Sequence, residues 1–236
     1  MQDPLAGNPI GSRYPCAVAH GFHPPVDEYL KVIYELEEGD VPVIRARLAE
    51  RLGHTGPSVT EMVRRLVAEG HLLVEGRSLR LTDQGRRHAE AVVRRHRLAE
   101  RLLADVLGLP WPKVHQEAGR WEHVISQDVE ERLVVLLENP ATCPHGNPIP
   151  GSGAPRPRQR RLAGAEPGEE VRLERITETV ELDPETLAYL DTHGLRPGAT
   201  ALVTERAPDG TLTLDVDGDS IAVGTALAAE LFVAAR

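Results

Sequence analysis

Residues 44–81, IRARLAERLGHTGPSVTEMVRRLVAEGHLLVEGRSLRL, decide the reading of the fold. Residues 44–52 predict a short helix that Gly53 closes. Thr55-Gly56-Pro57-Ser58 starts the next helix, and Val59, Met62, Val63 and Leu66 give it one apolar face. Gly70 stops that helix. Residues 72–74 and 79–81 flank Glu75-Gly76-Arg77-Ser78 and read as a short hairpin. Upstream, residues 26–38 form an amphipathic helix with Tyr29, Ile33 and Leu36 on its apolar side. Helix, helix, turn, helix, hairpin is the order of a winged helix-turn-helix.

Charge supports that reading. The 236-residue chain has a formal net charge of -9, which argues against a polyanion binder. The charge is unevenly spread, however. Residues 41–101 hold 13 Arg against 7 Asp or Glu, a local balance of +6, so the remainder carries -15. One basic block on an acidic chain suggests a localised polyanion-binding face. The third helix would enter the major groove with Thr55, Pro57, Ser58 and Glu61 toward the bases, while Arg45, Arg47, Arg64, Arg77 and Arg80 would meet phosphates.

Downstream, Thr82 or Asp83 caps a long helix running to about Leu107, and Gly108-Leu109-Pro110 breaks it. Helices follow over residues 112–125 and 127–137, then a proline-punctuated loop over 140–150. The last part changes character. Residues 171–176, 201–205, 212–216 and 221–223 read as short strands on tight turns, and Asp183-Pro184-Glu185 starts a helix. This pattern predicts a small β-barrel. The expected units are a disordered tail (1–23), a winged-helix domain (24–92), a helical domain (93–150), a linker (151–164) and a barrel (165–236). Aromatics are only 3%, so Leu, Val and Ala must fill the cores. Cys16 and Cys143 make no disulfide framework, which fits a reducing cytoplasm. No apolar run approaches a membrane span, and the first residues do not read as a secretory signal.

The chemistry lies between Arg94 and Ser126. His96 and Glu100 are four apart, on one helix face. His115, Gly119, Glu122 and His123 follow at offsets of four, seven and eight on the next helix. Two such stripes can build a divalent-metal site between them. An isolated His and Glu at that spacing is ordinarily a solvated helix face; several on neighbouring helices are not. Imidazole and carboxylate donors suit Mn(II), favoured here, and also Fe(II). His71 and His145 read as structural or exposed, and Cys143 as a packed, idle thiol.

Tyr29-Leu30 through Ile33-Tyr34-Glu35-Leu36-Glu37-Glu38, then RARLAERL, TGPSVT, RHRLAERLL, RWEHVIS and GNPIPG, resemble the diphtheria-toxin-repressor family of metal-dependent transcriptional regulators. The resemblance is close over residues 26–151 and looser beyond. It implies a winged helix, a helical dimerisation domain and an SH3-like β-barrel, in a homodimer that binds operator DNA when loaded with metal. It also implies two metal sites. His96, Glu100 and His115 match the ancillary site, with Glu178 and Glu181 as its ligands from the third domain. The primary site departs from the family pattern. Glu122 and His123 match, but Glu28 stands where iron-type members have Met and Gly119 where they have Cys. Lys31 stands where some manganese-type members carry a further carboxylate, and it would repel a cation. This second site is therefore reduced, completed by water, or differently built. Glu61 stands where a Gln occurs in the diphtheria-type repressor, so base preference would differ.

The resulting expectation is a manganese-dependent repressor of metal-uptake genes, with an iron-dependent regulator of iron uptake as the alternative. A metallohydrolase would need an open coordination position in a substrate cleft, and no nucleophile elbow, phosphate loop or His-Glu-x-x-His run is present. A metal-binding protein without gating is the other rival.

Overall fold

The computed structural model describes residues 25–153 and 158–235. The expected tail over 1–23 lies outside the described residues. Helices α1 (Pro25–Glu38), α2 (Arg45–Leu52) and α3 (Gly56–Ala68) are followed by strands β1 (Leu72–Glu75) and β2 (Ser78–Leu81). Gly53, at φ 64°, ends α2 in the left-handed region, and Thr55 caps α3 by accepting from Ser58 N. The hairpin pairs Leu72 with Leu81 and Glu75 with Ser78. Tyr29, Leu30, Ile33, Leu48, Val59, Val63, Leu66, Leu72 and Leu79 form one buried core beneath these elements. Each such side chain contributes about 1.5–3 kcal/mol by leaving water.

Helix α4 (Asp83–Arg101) starts at a Thr82 cap and continues as one π-helical turn over Leu102–Val106. It packs along α1 on one side and along α5 (Trp111–Trp121) on the other. Helix α6 (Gln127–Leu136) follows. The loop over 140–150 is stitched to its surroundings. Arg97, buried, pairs with Glu38 and donates to Pro148 O; Arg101 donates to the carbonyls of Thr142 and Cys143; Trp111 Nε1 donates to Pro144 O at 3.1 Å. Gly146, at φ 87°, has no room for a side chain, because a Cβ would lie 2.0 Å from Glu174 O.

The third part corrects the sequence reading. Its strands are β3 (Arg160–Arg161), β4 (Glu170–Ile176), β5 (Thr200–Arg206), β6 (Leu212–Val216), β7 (Asp219–Val223) and β8 (Leu231–Ala235). They form one six-stranded antiparallel sheet in the order β3-β8-β4-β5-β6-β7. This is an open sheet, not an SH3-like barrel: β3 and β7 are its two edges and are not paired to each other. The physical reason lies in β8 and β3. The last strand inserts between β3 and β4, and β3 is only two residues long, too short to close on β7. The sequence pattern predicts neither strand. Leu162 is buried in this core. Helices α7 (Glu178–Glu181), α8 (Pro184–Thr192) and α9 (Thr225–Ala228) complete it. Trp111 of α5 joins the same core, so α5 is shared between the second and third parts.

Candidate metal centre

Four segments converge on one buried point. His96 and Glu100 lie one turn apart near the end of α4, His115 lies in α5, His145 in the proline loop, and Glu178 and Glu181 in the single turn of α7. The shared helix α5 and the packing of α8 against it bring the α7 carboxylates to His115. His96 Nε2 is 3.1 Å from His115 Nδ1 and 3.3 Å from Glu100 Oε1. His115 Nδ1 is 3.2 Å from Glu100 Oε1 and 3.0 Å from Glu181 Oε2, while its Nε2 is 3.4 Å from Glu178 Oε1. All six side chains are at most 10% exposed.

The donor set fits a divalent cation. Among the described residues, one ligand atom each from His96, His115, Glu178 and Glu181 lie within 4.8 Å of one another, as do those of Glu100, Cys143 and His145. Glu100 Oε2 and His145 Nε2 are buried with no hydrogen-bond partner. A lone oxygen and a lone nitrogen of that kind are costly unless something binds them. Three carboxylates also crowd together. Burial, then repulsion from Glu178, raises the Glu181 carboxyl above its ordinary value. Burial raises Glu178 too, but His115, Lys31, His96 and Arg97 outweigh it and bring it down to about 2. Burial works against a charged His115, yet Glu178, Glu100 and Glu181 hold it well above the ordinary histidine value. Positive charge from His115, Lys31 and Arg97 thus offsets the carboxylates of this cluster.

His145, which the sequence reads as structural or exposed, joins this cluster. It is fully buried, with Nδ1 3.1 Å from Glu100 Oε1 and 3.4 Å from Glu181 Oε2. Cys143 is also buried and sits beside it; burial, then Glu100 and Glu181, push its thiol well up. A Cys and a His two residues apart in a proline-rigid loop was the available signal. The neighbouring Asn147 donates to Ile176 O at 2.9 Å and to Glu181, which fixes the loop against α7.

The second expected set is brought close but assembled differently. Glu28, Gly119 and Glu122 line a cavity of about 400 Å³ with Lys31, Glu35 and Arg51. Gly119 offers no side chain. Lys31 Nζ donates to Glu122 Oε2 at 2.8 Å and lies 3.9 Å from Glu35. Burial would strip Lys31 of its proton, but Glu122 and Glu35 outweigh it and raise its pKa. Glu122 is held well below the carboxylate range, against burial, by Lys31 and His96. His123 Nδ1 lies 3.2 Å from Asp27, which in turn pairs with His88 at 2.7 Å. The other ring nitrogen, His123 Nε2, lies 3.2 Å from Glu122 Oε1. These residues do not form a grouping of mutually close donors among the described residues.

In the N-terminal unit, α3 turns Val59, Val63 and Leu66 inward and leaves Thr55, Pro57, Ser58, Glu61 and Arg64 exposed. Arg47, Arg77 and Arg80 are exposed nearby, and Arg45 is half-buried. Glu61 lies 3.7 Å from Arg64, and Glu75 lies 3.5 Å from Arg80. No helix among the described residues is long and apolar enough to cross a membrane.

Comparison with known proteins agrees with this construction. Residues 22–78 match the N-terminal DNA-binding domain of iron-dependent repressors, residues 82–151 their metal-binding and dimerisation domain, and residues 160–235 the FeoA domain. The iron-dependent repressor IdeR of Mycobacterium tuberculosis is 47% identical over 202 residues, covering 80% of this chain and 87% of that protein. The diphtheria toxin repressor of Corynebacterium diphtheriae is 42% identical over 203 residues, covering 82% and 89%. A solved manganese-dependent transcriptional repressor in complex with manganese superposes with a TM-score of 0.81 at 33% identity, covering 89% of this chain and all of that one. The family consists of repressors rather than enzymes, which removes the hydrolase alternative. With its winged helix beside a buried histidine–carboxylate cluster, the chain belongs to the diphtheria-toxin-repressor and iron-dependent-repressor family and is a metal-dependent, DNA-binding transcriptional regulator.

Proposed function

We propose that this regulator represses metal-uptake genes in response to Mn(II), acting in the cytoplasm as a homodimer on double-stranded operator DNA. The observation that carries the reading is the convergence of α4, α5, the proline loop and α7 on one buried set of donors. His96, Glu100, His115, Glu178 and Glu181 would hold the ion, with His145 as a sixth donor. A bound cation supplies fixed positive charge that joins the helical unit to the third unit. The oxygen and nitrogen donors favour Mn(II). Fe(II) is the second reading, favoured by the 47% identity to an iron-dependent repressor.

The path to DNA starts at α7. Arg51 of α2 donates to Thr179 of α7 at 3.1 Å and lies 3.8 Å from Glu35 of α1. Holding Glu178 and Glu181 in place therefore holds the turn that Arg51 grips, and α2 is the helix preceding the reading helix. Thr55, Pro57, Ser58 and Glu61 would face the bases, and Arg45, Arg47, Arg64, Arg77 and Arg80 the phosphates. The domains would be a winged helix up to about residue 92, a helical dimerisation unit to about 150, and the sheet domain beyond the linker. Metal analysis after equilibrium dialysis against Mn(II), Fe(II) and Zn(II) under anaerobic conditions tests the reading. Retention of Mn(II) or Fe(II) at micromolar concentrations is expected, and loss of retention in His115→Ala ties the ion to this centre. Unchanged retention in that variant would refute the assignment.

A further inference from the structure

We propose that Lys31 is a built-in cation at the second site: its ammonium stands where an ion would sit beside Glu122, and Glu122 becomes the carboxylate that orients His96. Three observations carry this. First, Lys31 Nζ donates to Glu122 Oε2 at 2.8 Å, inside the protein, with the two side chains 13% and 3% exposed. A cation on that oxygen would lie against the ammonium. Second, the remaining donors are missing or engaged. Gly119 has no side chain, and His123 lies between two carboxylates, its Nδ1 3.2 Å from Asp27, itself paired with His88, and its Nε2 3.2 Å from Glu122 Oε1. Third, His96 Nδ1 lies against both Glu122 Oε2 and, at 3.1 Å, Lys31 Nζ; an ionised carboxylate can only accept, so the Nδ1 proton is assigned to the bond with Glu122. With its proton on Nδ1, His96 presents the Nε2 lone pair toward His115 and Glu100, at 3.1 and 3.3 Å. A carboxylate on the far nitrogen of a histidine fixes its tautomer and ring orientation and strengthens it as a ligand.

Lys31 thus fastens α1 to the helical unit with a permanent charge, and Glu122 is a positioning residue for the neighbouring centre. The inference rests on the reading that His96 helps hold the ion. The two are read at different places, His115 for the centre and Glu122 for the second site.

Crystals of the full-length native protein soaked in Mn(II) provide the test, with anomalous scattering to place each ion. The expected map has manganese at His115 and none bonded to Glu122, with Lys31 still on that carboxylate. Manganese bonded to Glu122 or His123 would overturn the proposal. Equilibrium binding of Mn(II) to variants gives an independent readout. Lys31→Arg should keep native affinity, and Lys31→Met and Glu122→Gln should each weaken it about 10–100-fold, the usual effect of losing such a partner. Native or tighter Mn(II) binding in Lys31→Met would overturn it equally.

Discussion

Two clusters of carboxylate and imidazole lie side by side in this protein and behave differently. In one, Glu100, Glu178 and Glu181 face His96, His115 and His145. In the other, Glu122 and Glu35 face Lys31. The residue types are nearly the same; the difference is a fixed ammonium. Buried carboxylates need a counter-charge. Lys31 gives one cluster a permanent counter-charge. In the other, imidazoles stand among the carboxylates, and on the proposed reading they would exchange protons for a divalent ion and so respond to the metal supply.

The largest effect expected from breaking this contrast is at the responsive cluster. Replacing both His96 and His115 by Ala should lower Mn(II) affinity by at least about 100-fold, since two ligands and their orientation are lost; equilibrium dialysis measures this. Next comes Arg97, the fixed cation joining α1 to the proline loop. Arg97→Ala breaks the buried Arg97–Glu38 pair and removes the donor to Pro148 O, and should cost about 3–5 kcal/mol in urea unfolding of the metal-free protein. A loss within about 0.5 kcal/mol would mean that the loop is held by other contacts.

The pH dependence sharpens the contrast further. Asp27 and Glu122 outweigh burial and raise His123 to about 9, while His115 is raised well above 6.5 by Glu178, Glu100 and Glu181. A histidine with a raised folded-state pKa stabilises the fold fully below its unfolded value and loses that contribution as pH climbs through the folded value. Metal-free protein should therefore lose thermal stability between about pH 6.5 and 9. Metal must displace the proton on His115, so Mn(II) uptake at pH 7.5 should release protons, visible as a calorimetric heat that changes with buffer ionisation enthalpy. Heat independent of buffer would contradict the protonated state. The smallest effects are expected outside both clusters. Thr55→Ala removes the α3 cap and should cost about 1 kcal/mol, and Arg64→Ala should lower the salt slope of DNA binding by about 1.

The N-terminal fold was legible because each boundary has a local cause: Gly53, the Thr55 cap, Pro57 and Gly70 punctuate helices whose apolar spacing is plain. The third part was less legible. Four strands and their turns could be read, but β8, whose sequence is LFVAA, lacks alternation, and β3 is two residues long. Strand order depends on where those two pair, so an open sheet was mistaken for a closed one. In the candidate centre, His96, Glu100 and His115 stood out by helical spacing. Glu178 and Glu181 emerged from family resemblance. His145 was missed because its burial comes from Gly146 pressing on β4, Asn147 on α7 and Trp111 on Pro144, contacts that only the fold creates. Lys31 was visible as a charge that opposes a cation, but its pairing with Glu122 across 91 residues was not.

The central claim is that ion occupancy at the buried centre controls DNA binding. It is tested most directly by selecting duplexes from a random pool with native protein in Mn(II), then following fluorescence anisotropy of the selected duplex as Mn(II) is titrated. The native protein should bind at least about 100-fold more tightly with Mn(II) than with chelator, the swing that about 2.7 kcal/mol of coupling gives, and the His96→Ala, His115→Ala double variant should show no such gain. Equal affinity with and without Mn(II), or a full gain in the double variant, would contradict the account.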